Sequence, residues 1–198
     1  MNLRRAEFDD LMKIAQGCLG QSTQEWRCFL EFAGNYFRTR EIPRPIVVEI
    51  GVMNNAQKPF YTELLNAEHI GIDVNYWSPG HPDIHGDSQD PETFAQLQGR
   101  LAGRPIDLLF IDGDHSYAGV KSDYETYGPL TKHMIVLHDI SGGIIGTHGL
   151  DDVGRLWKEI AETDTGNLLL TIRHYNSLKA GITAGYQMGI GLIIKEFA

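Results

Sequence analysis

Asp112, Asp114 and His115 lie together in the run Ile106-Asp107-Leu108-Leu109-Phe110-Ile111-Asp112-Gly113-Asp114-His115-Ser116-Tyr117. Carboxylates beside an imidazole can hold a divalent ion or move a proton. The six residues before Asp112 are mostly large and apolar and read as a buried strand, so the charged group falls just past a strand's carboxyl end. A second run, His133-Met134-Ile135-Val136-Leu137, ends the same way in His138-Asp139. Open α/β sheets bind their ligands at that edge. Two parallel strands that both end in acid and imidazole predict a site that needs a metal, a base, or both. Asp112, His115 and His138 are the candidate catalytic groups.

The rest of the chain supplies elements able to position such a site. Leu11, Ile14, Ala15 and Leu19 predict one N-terminal helix. Trp26, Phe29, Leu30, Ala33 and Phe37 predict a second, with Ser22 or Thr23 as its cap and Glu25 in its first turn. Pro43 and Pro45 break the helical pattern before a first strand, Ile46–Ile50. From there strands and helices alternate. A helix is expected over Pro59 to about Asn66, a strand over His69–Val74, and a short third strand within Ser78–His85. Helices are expected over Pro91–Leu101, Tyr117 to about Tyr127 and Asp151 to about Glu162. Asn167–Tyr175 and Tyr186–Lys195 close the chain as two strands joined by the turn-like Asn176–Gly185.

This order predicts an α/β fold: a Rossmann-like parallel sheet with helices on both faces and an antiparallel edge at the C-terminus, preceded by N-terminal helices. The 198 residues suit one domain, with N-terminal helices over 1–42 and the Rossmann-like core over 43–198.

A net charge of −9 opposes nonspecific binding to phosphate backbones. Cys18 and Cys28 lack metal-site or disulfide-framework spacing and read as reduced thiols. No stretch approaches the roughly 20 apolar residues that span a bilayer, and no signal-peptide pattern opens the sequence. A cytoplasmic protein without membrane or nucleic-acid partners is expected. Homo-oligomerisation is left open.

The turn Glu49-Ile50-Gly51-Val52-Met53-Asn54-Asn55 carries one glycine where a dinucleotide fingerprint needs three. Asn54 and Asn55 stand where other glycines would, and asparagine tolerates left-handed backbone. Glu49 would repel a pyrophosphate but attract a cation. Asp73 ends the next strand, where an acid takes a ribose diol. Asp87 and Ser88 follow the third. A ligand with a ribose, an adenine amine, an ammonium and no phosphate satisfies this acidic set, and S-adenosylmethionine is one.

With its E-I-G-V turn, D-G-D-H-S-Y segment and H-D after the fifth strand, the chain resembles class I S-adenosylmethionine-dependent methyltransferases over about residues 46–195. It is most similar to the bacterial group that includes antibiotic-tailoring sugar O-methyltransferases and cephalosporin hydroxylase-like proteins. The helix pattern Val153–Ile160 fits the same group. The resemblance implies that Gly51 sits under the methionine part of the cofactor, Asp73 binds the ribose, and Asp87 and Ser88 lie near the adenine. It places Asp112 at the transfer site. With Glu49, these form the expected cofactor-binding set. Asp112 and Asp139 are plausible magnesium ligands, and in metal-dependent relatives the third comes from the position of His138. Asn54-Asn55-Ala56 departs from the usual Gly-Gly-Ser-like turn.

The function expected is methyl transfer from S-adenosylmethionine to a hydroxyl of a small acceptor, with Mg2+ or another divalent metal. The alternatives are a metal-dependent hydrolase or hydroxylase-like enzyme on the same fold, and a noncatalytic binding protein. The acceptor pocket is expected from the N-terminal helices and the Ser141–Gly149 loop.

Overall fold

Parallel strands are covered on both faces and therefore read as continuous apolar runs. In β1 (Ile46–Ile50) and β4 (Ile106–Ile111) only Asp107 escapes full burial. The computed structural model describes residues 5–15, 20–76, 80–140, 151–173 and 189–195. Cys18, His148, His174, the Ser141–Gly149 loop and the Asn176–Gly185 turn lie outside them.

Two N-terminal helices, α1 (Arg5–Ala15) and α2 (Thr23–Thr39), precede β1. The chain continues through β2 (Glu68–Asp73), β3 (Ile84–His85), α3 (Pro91–Leu101), β4 and α4 (Tyr117–Tyr127). It ends in β5 (Thr131–His138), α5 (Asp151–Thr163), β6 (Leu168–Ile172) and β7 (Ile190–Ile194). The strands form one sheet in the order β3-β2-β1-β4-β5-β7-β6. β3, β2, β1, β4 and β5 run parallel to one another. β7 runs antiparallel to both β5 and β6. The antiparallel edge is thus one inserted strand, with β6 outside it.

Side chains alternate across the sheet, so two cores form. Val47, Leu108, Phe110, Met134, Val136 and Leu192 pack under α1, α2 and Phe60-Tyr61. Val48, Ile50, Leu109, Ile111, Ile135 and Ile193 pack against apolar residues of α3, α4 and α5. Trp26 is fully buried between Phe29, Phe60, Tyr61 and Phe110, with ring centroids 5.4–5.9 Å away. Among the described residues no helix is long and apolar enough to cross a membrane.

The segment expected as a helix from Pro59 to Asn66 is a single π-helical turn, Phe60–Leu64. It stops because Asn66 takes a left-handed backbone (φ 53) and turns its amide to the Pro43 carbonyl. α3 and α4 have the predicted limits. Asp90 caps α3 by accepting from Glu92 N. Ser116 caps α4 by accepting from Gly119 N. Asp114 holds that cap by accepting from Ser116 N and Oγ, both at 2.9 Å.

Candidate active site

The carboxyl ends of β1, β2, β4 and β5 and the loop after β3 surround one cavity of about 500 Å3, a size suited to a cofactor-sized ligand. Its lining contains Gly51, Asp73, Asp87, Ser88, Asp112, His115, His138 and Asp139. Eight of the nine residues singled out from the sequence therefore converge on one rim.

Glu49 is the exception, and the expectation that it faces the ligand is corrected. It points to the α2 side of β1, is fully buried, and meets His69 Nε2 at 2.7 Å. The strand's pleat decides this. Glu49 shares its face with Val47 and leaves the cavity to Ile50 and Gly51.

Gly51 has φ +84, and a Cβ there would collide with the Asp112 carbonyl. Its first role is to let β1 and β4 approach at the cavity floor. Met53 and Asn55 take left-handed backbone, at φ 47 and 59, in place of glycines. Gly80 packs so closely on Asn54 that a Cβ would collide with the Asn54 carbonyl. Asn55 Nδ2 donates to the His81 carbonyl at 2.8 Å.

Asp73 organises the same turn. Its Oδ2 accepts from Met53 N at 2.7 Å and its Oδ1 from Asn75 N at 2.8 Å. Each carboxylate oxygen keeps a second lone pair for a ligand hydroxyl. Asp87 Oδ1 accepts from Gln89 N, and the Ser88 carbonyl accepts from Tyr127 Oη at 2.6 Å.

At the other end Asp112 is the centre of a charged cluster. Its Oδ1 lies 3.0 Å from His138 Nδ1 and 3.2 Å from His115 Nε2. Gln21 Nε2 donates to its Oδ2 at 3.0 Å. Asp139 Oδ2 lies 3.5 Å from His115 Nδ1 and from His138 Nδ1. The left-handed backbone of Asp139 (φ 60) turns its carboxylate back toward Asp112. Ligand atoms of Asp112, His138 and Asp139 lie within 4.8 Å of one another, close enough to share one metal ion.

Burial alone would raise the Asp112 carboxyl. The charge of His138 and bonding to His115 and His138 outweigh it and hold the group at about 2. Burial alone would lower His138, but Asp112 and Asp139 push it up to about 9. His115 is raised, first by its hydrogen bond to Asp112. Asp139 is raised by burial, with the Asp112 charge adding to it. The cluster thus favours positive charge among its carboxylates.

Gln21 and Glu25 were not singled out from the sequence. Gln21 sits in the α1–α2 connection, where periodicity says nothing. Glu25 read only as a first-turn helix charge, yet it is buried and its charge acts on His138 and Asp139.

The sheet order, with a cavity at the carboxyl ends of its parallel strands, defines a Rossmann-like fold. Residues 67–140, from just before β2 to just past Asp139, match a family model described as a methyltransferase domain. Among curated proteins none matches. Similar solved structures include the MycE methyltransferase from the mycinamycin biosynthetic pathway in complex with Mg, SAH and mycinamycin VI. It is 16% identical, with a TM-score of 0.59 over 96% of this chain and 55% of that one. The O-methyltransferase from Bacillus cereus in complex with SAH is 11% identical, with a TM-score of 0.52 over 97% and 92%. The plantazolicin methyltransferase BpumL, in complex with a pentazolic desmethylPZN analog and SAH, is 14% identical, with a TM-score of 0.54 over 98% and 95%. This chain spans about half the length of the MycE chains it resembles (55% and 54%).

Proposed function

We propose that this protein transfers the methyl group of S-adenosylmethionine to a hydroxyl of a small acceptor, aided by a divalent ion. The observation that carries this reading is one continuous cavity with two chemically different ends. Asp73, Asp87 and Ser88 line one end; Asp112, His115, His138 and Asp139 line the other. The MycE neighbour, crystallised with Mg and SAH, supports the same pairing of ligands.

The residues fit both groups. At the first end the spare lone pairs of Asp73 suit ribose hydroxyls, while Asp87 and the Ser88 backbone suit an adenine. Among the described residues the lining has no Lys or Arg, which favours a sulfonium and an ammonium over phosphates. At the second end two carboxylates and an imidazole would hold Mg2+ or another divalent ion. The imidazole suits a transition metal better than it suits magnesium.

The acceptor oxygen forms its bond to the methyl carbon as the carbon–sulfur bond breaks. Alignment and loss of the acceptor's proton are therefore the tasks. A divalent ion, when bound, lowers the pKa of the acceptor hydroxyl and orients it. Asp112, held ionised, fixes the orientation of both imidazoles. A divalent ion beside Asp112 and Asp139 would lower the hold of His115 on its own proton, and His115, the more exposed of the two imidazoles, would then take up the acceptor's proton and pass it to solvent. Gln21 keeps Asp112 Oδ2 in position and carries the α1–α2 connection to the cavity.

Calorimetric titration with S-adenosylhomocysteine tests the reading, with metal analysis of the wild type and Asp139→Ala. Saturable cofactor binding is expected, with a divalent ion retained by the wild type and lost from the variant. Folded protein that binds no S-adenosylhomocysteine at millimolar concentration overturns it. Metal retention in that case points to the hydrolase-like alternative, and retention of neither to a noncatalytic protein.

A further inference from the structure

A line of charged side chains runs behind the cofactor end of the cavity, from the centre of the sheet to the surface. Glu49 Oε2 meets His69 Nε2 at 2.7 Å, and both side chains are fully buried. On the other side of the ring His69 Nδ1 lies 3.7 Å from Asp83 Oδ2. Lys58 Nζ closes the line by donating to both Asp83 oxygens, at 2.8 and 2.9 Å. The four residues come from β1, β2, the approach to β3 and the segment after the Gly51 turn. None of them lines the cavity.

Placing this line in the interior is costly, because buried charges lose hydration that apolar side chains would not. Its contacts show what it fastens. The Tyr61 ring stacks on His69 at 5.2 Å between centroids and 18° between planes. Asp83 Oδ2 also accepts from Gly71 N at 2.9 Å. Gly71 faces Val52, and a Cβ there would stand 2.7 Å from Val52 Cγ1. Just before Asp83, Gly80 and His81 hold Asn54 and Asn55. Val52, Asn54, Asn55, Lys58 and Tyr61 are successive fastening points along one segment, and all lead to the same line or its immediate neighbours.

We propose that Glu49, His69, Asp83 and Lys58 are positioning residues that hold the Gly51–Lys58 turn in its ligand-accepting shape. This inference rests on the cofactor reading of the cavity. A glycine-rich turn gets its shape from backbone freedom. This turn has one glycine and two left-handed non-glycine residues, so its shape comes from being tied at both ends. Glu49 carries the near end on β1. Lys58 carries the far end, and the His69 ring spans the gap between them.

Amide hydrogen exchange on the full chain without ligand tests the tie directly. Lys58→Ala removes the outer link at a partly exposed position, so the fold is retained. His69→Ala removes the centre, and Lys58→Arg restores a cation facing Asp83. Exchange at Met53, Asn55, Ala56 and Lys58 is expected to accelerate about tenfold or more in Lys58→Ala, with β4 and β5 unchanged, and to recover in Lys58→Arg. Affinity for S-adenosylhomocysteine is expected to fall about tenfold in Lys58→Ala and further in His69→Ala, as for loss of an outer partner at a ligand site. Unchanged exchange in the turn overturns the inference, whether or not cofactor binds. Equal affinity of wild type and both variants overturns it and spares the cofactor reading. Absence of binding in the wild type overturns that reading, and the exchange result still decides whether the tie exists.

Discussion

Asp123, on the buried face of α4, sits behind the cavity wall formed by Gly113 and Ser88. Burial pushes its carboxyl up to about 6, Asp114 and Asp87 add to the shift, and Ser88 offsets it in part. An unfolded aspartate titrates near about 3.9. The folded protein therefore keeps a proton that the unfolded chain releases between those values. Stability from this group is present below about pH 4 and is lost as pH rises toward 6. Asp123→Asn is expected to stabilise the protein by about 2 kcal/mol near pH 7.5, and to leave it unchanged near pH 4. Urea midpoints at the two pH values check this, and equal shifts at both would refute the assignment. Nothing in the sequence marked Asp123, because a helix charge shows its burial only once α4 is docked. Asp112, His138 and Asp139 were legible because each ends an apolar run, and the run fixes where its end lies. Glu49 was misread for a related reason: composition located the strand, but the pleat decides which face a side chain takes.

Gly191 on β7 shows how tightly the elements dock. A Cβ there would stand 2.7–2.9 Å from the Trp157 ring of α5. Gly191→Ala is expected to cost about 1–3 kcal/mol through overpacking. The affinity for S-adenosylhomocysteine is expected to stay unchanged, since neither residue lines the cavity. Denaturant melts and calorimetry separate the two effects. A loss of affinity as large as the loss of stability would mean that α5 and β7 bear on the ligand. The starts of α3 and α4 were readable because local chemistry marks them: Asp90 and Pro91 open one, Ser116 the other. The π-helical turn after Pro59 was not, because an apolar segment of that length fits several backbone forms. Its end is marked by Asn66, whose amide reaches the Pro43 carbonyl, a contact outside the segment itself.

At the scale of the whole molecule, the cavity draws its walls from five strand ends or the loops beside them, and a ligand in it bridges them all. Binding to the folded state alone must raise the unfolding free energy, by about 2.7 kcal/mol at a hundredfold excess over Kd. S-adenosylhomocysteine is accordingly expected to raise the melting temperature progressively with concentration. A melting point that does not move under saturating ligand would mean that the unfolded chain binds equally well, or that nothing binds. The alternating order of strands and helices made the parallel part of this sheet readable. The position of β7 was only partly so, since an antiparallel pair at an edge and a strand inserted beside β5 share the same pattern. That insertion bears on how the protein folds. β6 precedes β7 in the chain, yet only β7 joins it to the sheet. Until Ile190–Ile194 slots in between, the folding chain carries an open apolar border on β5 and an unpaired β6. Its exposure to mispairing is set by how fast that last strand is placed, whatever the stability of the finished sheet.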